Sequence, residues 1–212
     1  MTAALAAFAP AAAPRAALLH AVPDLDAAIE AARAGDASAY ARLVERYHRG
    51  IYGLCLRMCG NPADAEELTQ EAFVRAFRHL DHFDPRHKFS TWIYRIALNA
   101  CRDLLRARPH RETAYGLDPG PLPEERREGP DGHAARAELR RALSLALEQL
   151  SPKYREALVL RHVEGLPYEE IAQITGDTVG ALKVRVVRGR AMLLERLVRI
   201  DPSLANSEAV EL

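Results

Sequence analysis

The sequence is short of several things, and each shortage excludes a class. Three cysteines in 212 residues make no disulfide framework. Two of them, Cys55 and Cys59, lie one helical turn apart and read as buried thiols in a reducing compartment. No apolar run approaches the roughly 18 residues needed to cross a bilayer, so no membrane insertion is expected. Period-two alternation and Asn-Gly hairpin turns are missing, which sets the β classes aside. A Gly-rich phosphate loop and a nucleophile motif are missing too, so neither an enzyme nor a cofactor is expected. His79, His82 and His87 stand beside Asp81 and Asp84, but their spacing fits no closed zinc pattern. They read as a polar connecting loop, and no metal is expected. Net charge is zero, 29 basic against 29 acidic residues. That excludes a uniformly basic coat but not a local basic surface.

What is present is helix after helix. Residues 1–23 are alanine-rich, with 11 alanines among the first 21 positions. No positive segment precedes them and Arg15 interrupts them, so they read as a poorly ordered extension, or a start codon set too early, rather than a signal peptide. From Asp24 the apolar periodicity predicts helices over about 25–34, 37–58, 63–80 and 89–107. Asn61 followed by Pro62 is an N-cap with a first-turn proline. Residues 109–134 hold five prolines and four glycines with mixed charge. Such a segment buries too little to offset its chain entropy, and a flexible linker is expected. Periodicity resumes at about 135 and continues to 200, leaving a short tail over 201–212. The expected fold is all-α, with two small helical domains, 24–108 and 135–200, on a tether.

Within the second domain, helices over about 153–163, 168–175 and 178–199 are separated by Gly165-Leu166-Pro167 and Gly176-Asp177. A short helix, a glycine turn and a longer helix make a helix-turn-helix plan. On the third helix Val179, Leu182, Val186, Leu193 and Leu197 fall on one side. Thr178, Ala181, Arg185, Arg188, Arg196 and Arg199 fall on the other. Residues 178–199 carry six basic residues and one acidic, Glu195. A basic run is ordinarily a solvated face, but joined to this turn it suits DNA phosphates.

A second basic face lies in the helix over 89–107. Trp92, Ile93, Ile96, Ala97, Ala100 and Leu104 form its core side, while Arg95, Asn99, Arg102 and Arg106 line another. Guanidinium groups suit a nucleic-acid backbone, and an amide suits the edge of one base. Phe89, Trp92 and Tyr94 offer rings for unpaired bases, against the plainer reading that Trp92 is core. On the helix over 63–80, Asp64, Glu67, Glu71, Arg75 and Arg78 share one face. Leu68, Ala72, Phe73, Ala76, Phe77 and Leu80 share the other. A charged face of that kind is only weak evidence for docking.

The stretches Asp64-Ala-Glu-Glu-Leu-Thr-Gln-Glu-Ala-Phe, Phe89-Ser-Thr-Trp-Ile-Tyr-Arg-Ile-Ala-Leu-Asn99, Leu150-Ser-Pro-Lys-Tyr-Arg and Tyr168-Glu-Glu-Ile-Ala together resemble a bacterial RNA polymerase sigma factor. With no further domain, the chain is most similar to the small extracytoplasmic-function (ECF) group. The resemblance implies a cytoplasmic protein that binds core RNA polymerase and promoter DNA, with its domains corresponding to sigma regions two and four. It implies polymerase docking through Asp64, Glu67, Gln70 and Glu71. Minus-ten reading and melting would fall to Trp92, Arg95, Asn99, Arg102 and Arg106. Minus-thirty-five reading would fall to Thr178, Ala181, Lys183, Arg185 and Arg188. Where many members carry Gly-Thr-Val-Lys-Ser-Arg, this chain has Gly180-Ala-Leu-Lys-Val-Arg185, so hydroxyl contacts are lost at Ala181 and Val184. A separate anti-sigma factor is a further expected partner. The rival reading is a helix-turn-helix activator that binds duplex DNA without polymerase.

Overall fold

The computed structural model describes residues 25–107 and 130–202. Eight α-helices follow in order: α1 (Leu25–Arg33), α2 (Ala37–Cys59), α3 (Pro62–Arg78), α4 (Phe89–Ala107), α5 (Pro130–Glu148), α6 (Pro152–Leu158), α7 (Tyr168–Thr175) and α8 (Val179–Ile200). No strand occurs among the described residues. Among the described residues the fold is all-α, with α1–α4 forming a first helical unit and α5–α8 a second.

Local chemistry sets the helix ends. The Asp36 carboxylate accepts the backbone N–H groups of Ser38 and Ala39, and the Asn61 side chain accepts those of Ala63 and Asp64. Each satisfies donors that the first helical turn leaves orphaned. At the other end of α2, Gly60 takes the left-handed conformation (φ 72°) and donates its N–H to the Leu56 carbonyl. Gly176 does the same after α7 (φ 79°), giving the helix-turn-helix its tight corner.

α2 is the central helix of the first unit and packs against α1, α3 and α4. Its Leu43, Tyr47, Ile51, Leu54 and Met58 are buried with Leu68 and Ala72 of α3 and Ile93, Ala97 and Leu98 of α4. In the second unit α8 packs on α5, α6 and α7, burying Leu182, Val186, Leu193 and Leu197 against Leu143, Leu147, Leu158 and Ile171. The two units also touch. α4 packs on α7 and α6, and α2 reaches α5 and α6, so one apolar core runs through both.

Three expectations need correction. The helix predicted over 153–163 is α6 followed by a wide turn at Val159–Val163, in which the Glu164 N–H reaches back five residues to the Val159 carbonyl. A pattern of apolar residues cannot distinguish that turn from ordinary helix. α5 begins at Pro130, so residues 130–134, expected in the linker, are helical; the rest of the expected linker, 109–129, lies outside the described residues. The helix predicted to reach 80 stops at Arg78, and a single 3-10 turn over Leu80–His82 follows.

The extension over 1–23 and all but the first residues of the expected tail likewise lie outside the described residues. Cys55 and Cys101 are buried and Cys59 is half-buried. The Cys59 thiol donates to the Cys55 carbonyl at 3.0 Å, and burial pushes its pKa up to about 12.

Candidate nucleic-acid interface

The first basic face is built on α4. Its opening is an aromatic cluster in which the Phe89 and Trp92 centroids are 5.5 Å apart and Phe83 lies 5.2 Å from Trp92. Phe89 and Tyr94 are 3% and 0% exposed, so neither ring is available to an unpaired base. That part of the expectation is overturned. Trp92 is half-buried in the cluster.

Further along, Arg95 and Asn99 are exposed. Arg106 sits 3.4 Å from Asp103, and Arg75 of α3 approaches the same carboxylate at 3.9 Å. Arg102 departs from its neighbours. Its Nη1 contacts the Asn99 side-chain oxygen at 3.5 Å, while its Nε and Nη2 donate in parallel to both oxygens of Glu156, each at 2.9 Å. A two-pronged guanidinium–carboxylate pair of this kind is the strong form of the interaction.

The second face is built on α8. Thr178 caps the helix, its hydroxyl accepting the Ala181 N–H at 3.2 Å. Ala181, Lys183 and Arg188 are exposed. Arg185 is not: only 18% of its side chain is accessible, and it donates to both Asp177 oxygens at 2.5 and 2.8 Å. Those bonds hold the Asp177 carboxyl below the usual range. Arg185 also comes within 3.7 Å of Glu156. One carboxylate therefore stands between an arginine of each basic face.

Val184 and Val187 are 51% and 66% exposed. With Lys153, Gly180, Ala181 and Arg188, Val184 lines a shallow groove beside the helix. Sequence reasoning noted at Val184 only a lost hydroxyl, whereas the side chain is an apolar surface among cations.

The third surface is the outer face of α3. Glu67 and Gln70 are exposed, Asp64 is half-buried, and Glu71 pairs with Arg75 at 2.5 Å. Gln70 donates to Glu66 at 3.0 Å. Phe77, expected in the core, is 54% exposed and meets Tyr40 edge-on at 4.9 Å, while Val74 is 48% exposed beside it. The docking candidates thus border an apolar patch.

Sequence reasoning missed Glu156, Glu164, Glu170 and Asp177, the carboxylates that meet the basic and aromatic side chains of the other elements. It also missed Arg155, which is 6% exposed and donates to the backbone carbonyls of Met58, Leu147, Glu148 and Leu150. An arginine with no carboxylate at sequence distance three or four gives no local signal of such a role.

Among the described residues no helix is long and apolar enough to cross a membrane. Residues 43–111 match the family model of Sigma-70 region 2, and residues 140–193 match that of Sigma-70, region 4. The chain is 36% identical over 186 residues to the ECF RNA polymerase sigma factor SigW of Bacillus subtilis, covering 80% of this chain and 94% of that one. It is 34% identical over 171 residues to the ECF RNA polymerase sigma-E factor of Escherichia coli, covering 76% and 88%. Among solved structures it resembles CnrH in complex with the cytosolic domain of CnrY, with a TM-score of 0.64 and 30% identity over 83% of this chain and 97% of that one. The Bartonella quintana sigma factor RpoE, in complex with the anti-sigma factor NepR, shares the fold with a TM-score of 0.62 at 22% identity, covering 76% and 98%. The matches to both region models, with the identity to ECF relatives over most of either chain, place this chain in the ECF group of bacterial RNA polymerase sigma factors, the subunits that direct transcription initiation.

Proposed function

We propose that the three surfaces divide the work of initiation in the cytoplasm. The outer face of α3 docks core polymerase through Asp64, Glu67, Gln70 and Glu71, with Val74 and Phe77 adding apolar contact. Arg95, Arg102 and Arg106 of α4 hold the backbone of the minus-ten element while Asn99 reads a base edge, since its amide both donates and accepts. Trp92 supports that site from its half-buried position. Asn99 is a short, exposed side chain one helical turn from the exposed Arg95, and that observation carries the minus-ten reading.

On α8, Thr178 fixes the helix start; Lys183, Arg185 and Arg188 supply the charge that meets the minus-thirty-five duplex. Ala181 and Val184 present methyl groups where a hydroxyl is common in the family. Thymine offers the only methyl group on a base edge in the major groove, so Val184 suits a thymine there. A polypeptide partner is also proposed. The related CnrH is solved in complex with the cytosolic domain of CnrY, and a separate anti-sigma chain is the expected restraint on this protein. The activator alternative is not favoured, because both matched family models are those of polymerase sigma subunits.

The deciding experiment combines core polymerase with wild-type protein and with the Glu67→Arg/Glu71→Arg double variant. Wild type supports run-off transcription from its promoters. The reversal lowers core association about tenfold or more, as juxtaposed like charges require, while circular dichroism stays helical. Unchanged core association in the double variant would remove α3 from the docking surface.

A further inference from the structure

Behind α4 lies a cavity of about 460 Å³, walled by α1 on one side and by the loop over residues 85–88 on the other. It is separate from the minus-ten face. Its α4 lining is Phe89 and Ser90, and Ser90 is half a turn out of phase with Asn99 at 100° per residue. The size falls within the roughly 300–1,000 Å³ of small-molecule sites.

The floor combines rings with two hydroxyls. Phe83 and Phe89 meet edge to face at 5.5 Å, and Ile29 closes the side; all three are buried. Tyr47 and Ser90, 1% and 3% exposed, line the same space. No group among the described residues completes a hydrogen bond to the Ser90 hydroxyl, and the Tyr47 hydroxyl has only the Arg46 guanidinium beside it. A guanidinium donates and cannot accept, so the Tyr47 proton is unclaimed as well. Buried polar groups normally have partners, and two such hydroxyls lining one cavity point to a polar group that enters it.

The rim carries charge of both signs, sorted by wall. Asp26 and Glu30 stand exposed on α1, while Arg86 and Lys88 stand exposed on the loop. Arg86 pairs with Asp84 through Nε and Nη2, which leaves Nη1 for another acceptor. A flat ring with a polar tip suits the floor, and an ammonium beside a carboxylate suits the two walls.

We propose that this cavity binds a free aromatic amino acid whose ring carries a polar group, L-tyrosine being the molecule that matches it. The ring packs on the buried floor and its phenol bonds to Tyr47 and Ser90. The ammonium faces Asp26 and the carboxylate takes Arg86. Peptide bonds would remove one or both ends of that zwitterion, so the free amino acid is the ligand. The site joins α1, the loop and the first turn of α4, which gives a small molecule a grip on the element that carries the minus-ten candidates. The inference stands apart from the assignment of the promoter-reading residues.

The test uses the full chain. Trp92 is the lone tryptophan and lies 5.2 Å from Phe83 and 5.5 Å from Phe89, so its emission reports on the cavity. Titration with L-tyrosine, excited where only tryptophan absorbs, should shift that emission saturably. Calorimetry gives the affinities, and circular dichroism checks the fold of each variant. Phenylalanine lacks the phenol and should bind about tenfold more weakly. Tyramine lacks the carboxylate and 4-hydroxyphenylacetate the ammonium, and each should bind about fivefold more weakly. Ser90→Ala should weaken tyrosine about fivefold and leave phenylalanine unchanged. It should melt no lower than wild type, since it removes an unsatisfied hydroxyl. Asp26→Asn should weaken tyrosine and tyramine but not 4-hydroxyphenylacetate. Arg86→Gln should weaken tyrosine and 4-hydroxyphenylacetate but not tyramine.

No saturable change in emission or heat up to the solubility limit of tyrosine would overturn the proposal. Equal affinity for tyrosine in wild type, Ser90→Ala and Asp26→Asn would do the same, because the ligand would then lie elsewhere. Phenylalanine binding as tightly as tyrosine would also sink it, since the two hydroxyls would then recognise nothing.

Discussion

The two basic helices look alike in sequence and behave differently in the fold. α8 buries one side against its own unit and leaves the other open, with Lys183, Val184, Val187 and Arg188 at the surface. α4 is enclosed from two sides: Ile93 and Ala97 face the region-two core, and Tyr94, also wholly buried, donates to Glu164 of region four. A helical wheel describes α8 well because the helices it packs on, α5, α6 and α7, all belong to its own unit and lie on one side of it. It describes α4 incompletely because a second partner arrives from 54 to 70 residues downstream. Cationic side chains alone therefore do not tell whether a helix face is open or already engaged.

The strongest way to break that comparison is to truncate one buried residue on each helix. Tyr94→Ala should cost about 3–5 kcal/mol and Leu182→Ala about 2–5 kcal/mol, from lost transfer energy plus the cavity left behind. Calorimetry of the full chain measures both. If Tyr94→Ala lowered stability by less than about 1 kcal/mol, α4 would have no second buried wall and the contrast with α8 would disappear.

Acid should sharpen it next. His162 lies half-buried in the wide turn before the helix-turn-helix, and burial, with Arg190 and Arg161 nearby, pushes its pKa down to about 4. Its unfolded value is about 6.5, so between those limits the unfolded state binds more protons. Region four therefore keeps this stability above about pH 6.5 and loses it progressively as pH falls towards 4. His162→Leu should flatten that slope in pH-resolved thermal melts. An identical slope in wild type and variant would remove the histidine as its cause.

The smallest expected effect is on α8 alone. Replacing a thymine of the minus-thirty-five element by deoxyuridine deletes one methyl group, worth about 0.8 kcal/mol if buried, or roughly fourfold in affinity. Wild-type holoenzyme should discriminate the two duplexes, and holoenzyme carrying Val184→Ala should not. If no thymine position in the element responds in wild type, Val184 does not read a methyl group.

These differences mark what the sequence could and could not disclose. The helix order, the cap at Asn61 and the turn at Gly176 were legible because their causes lie within four residues of their effects. The exposed positions Arg95, Asn99 and Arg188 follow from the same periodicity. Glu156, Glu164 and Glu170 were not legible, because a glutamate on a helix normally indicates solvent and nothing nearby announces its distant partner. Phe77 misled in the opposite direction. It has the spacing of a core residue, yet among the described residues its ring meets only the edge of the Tyr40 ring of α2, and it stays 54% exposed. The wide turn at Val159–Val163 was hidden because its hydrogen bonding differs from that of a helix while its residue types do not.

Arg155 has a consequence of its own. It donates to Met58 near the end of α2 and to Leu147, Glu148 and Leu150 around the end of α5. Burial lowers its pKa, and the nearby Glu148 charge opposes that shift. The carboxyl ends of two helices, each equivalent to roughly half a negative charge, meet at this point and would otherwise repel. One buried cation matches the two half-charges. The guanidinium acts here as a counter-ion shared by two helix dipoles, which is why it lies deep in the protein joined to carbonyls.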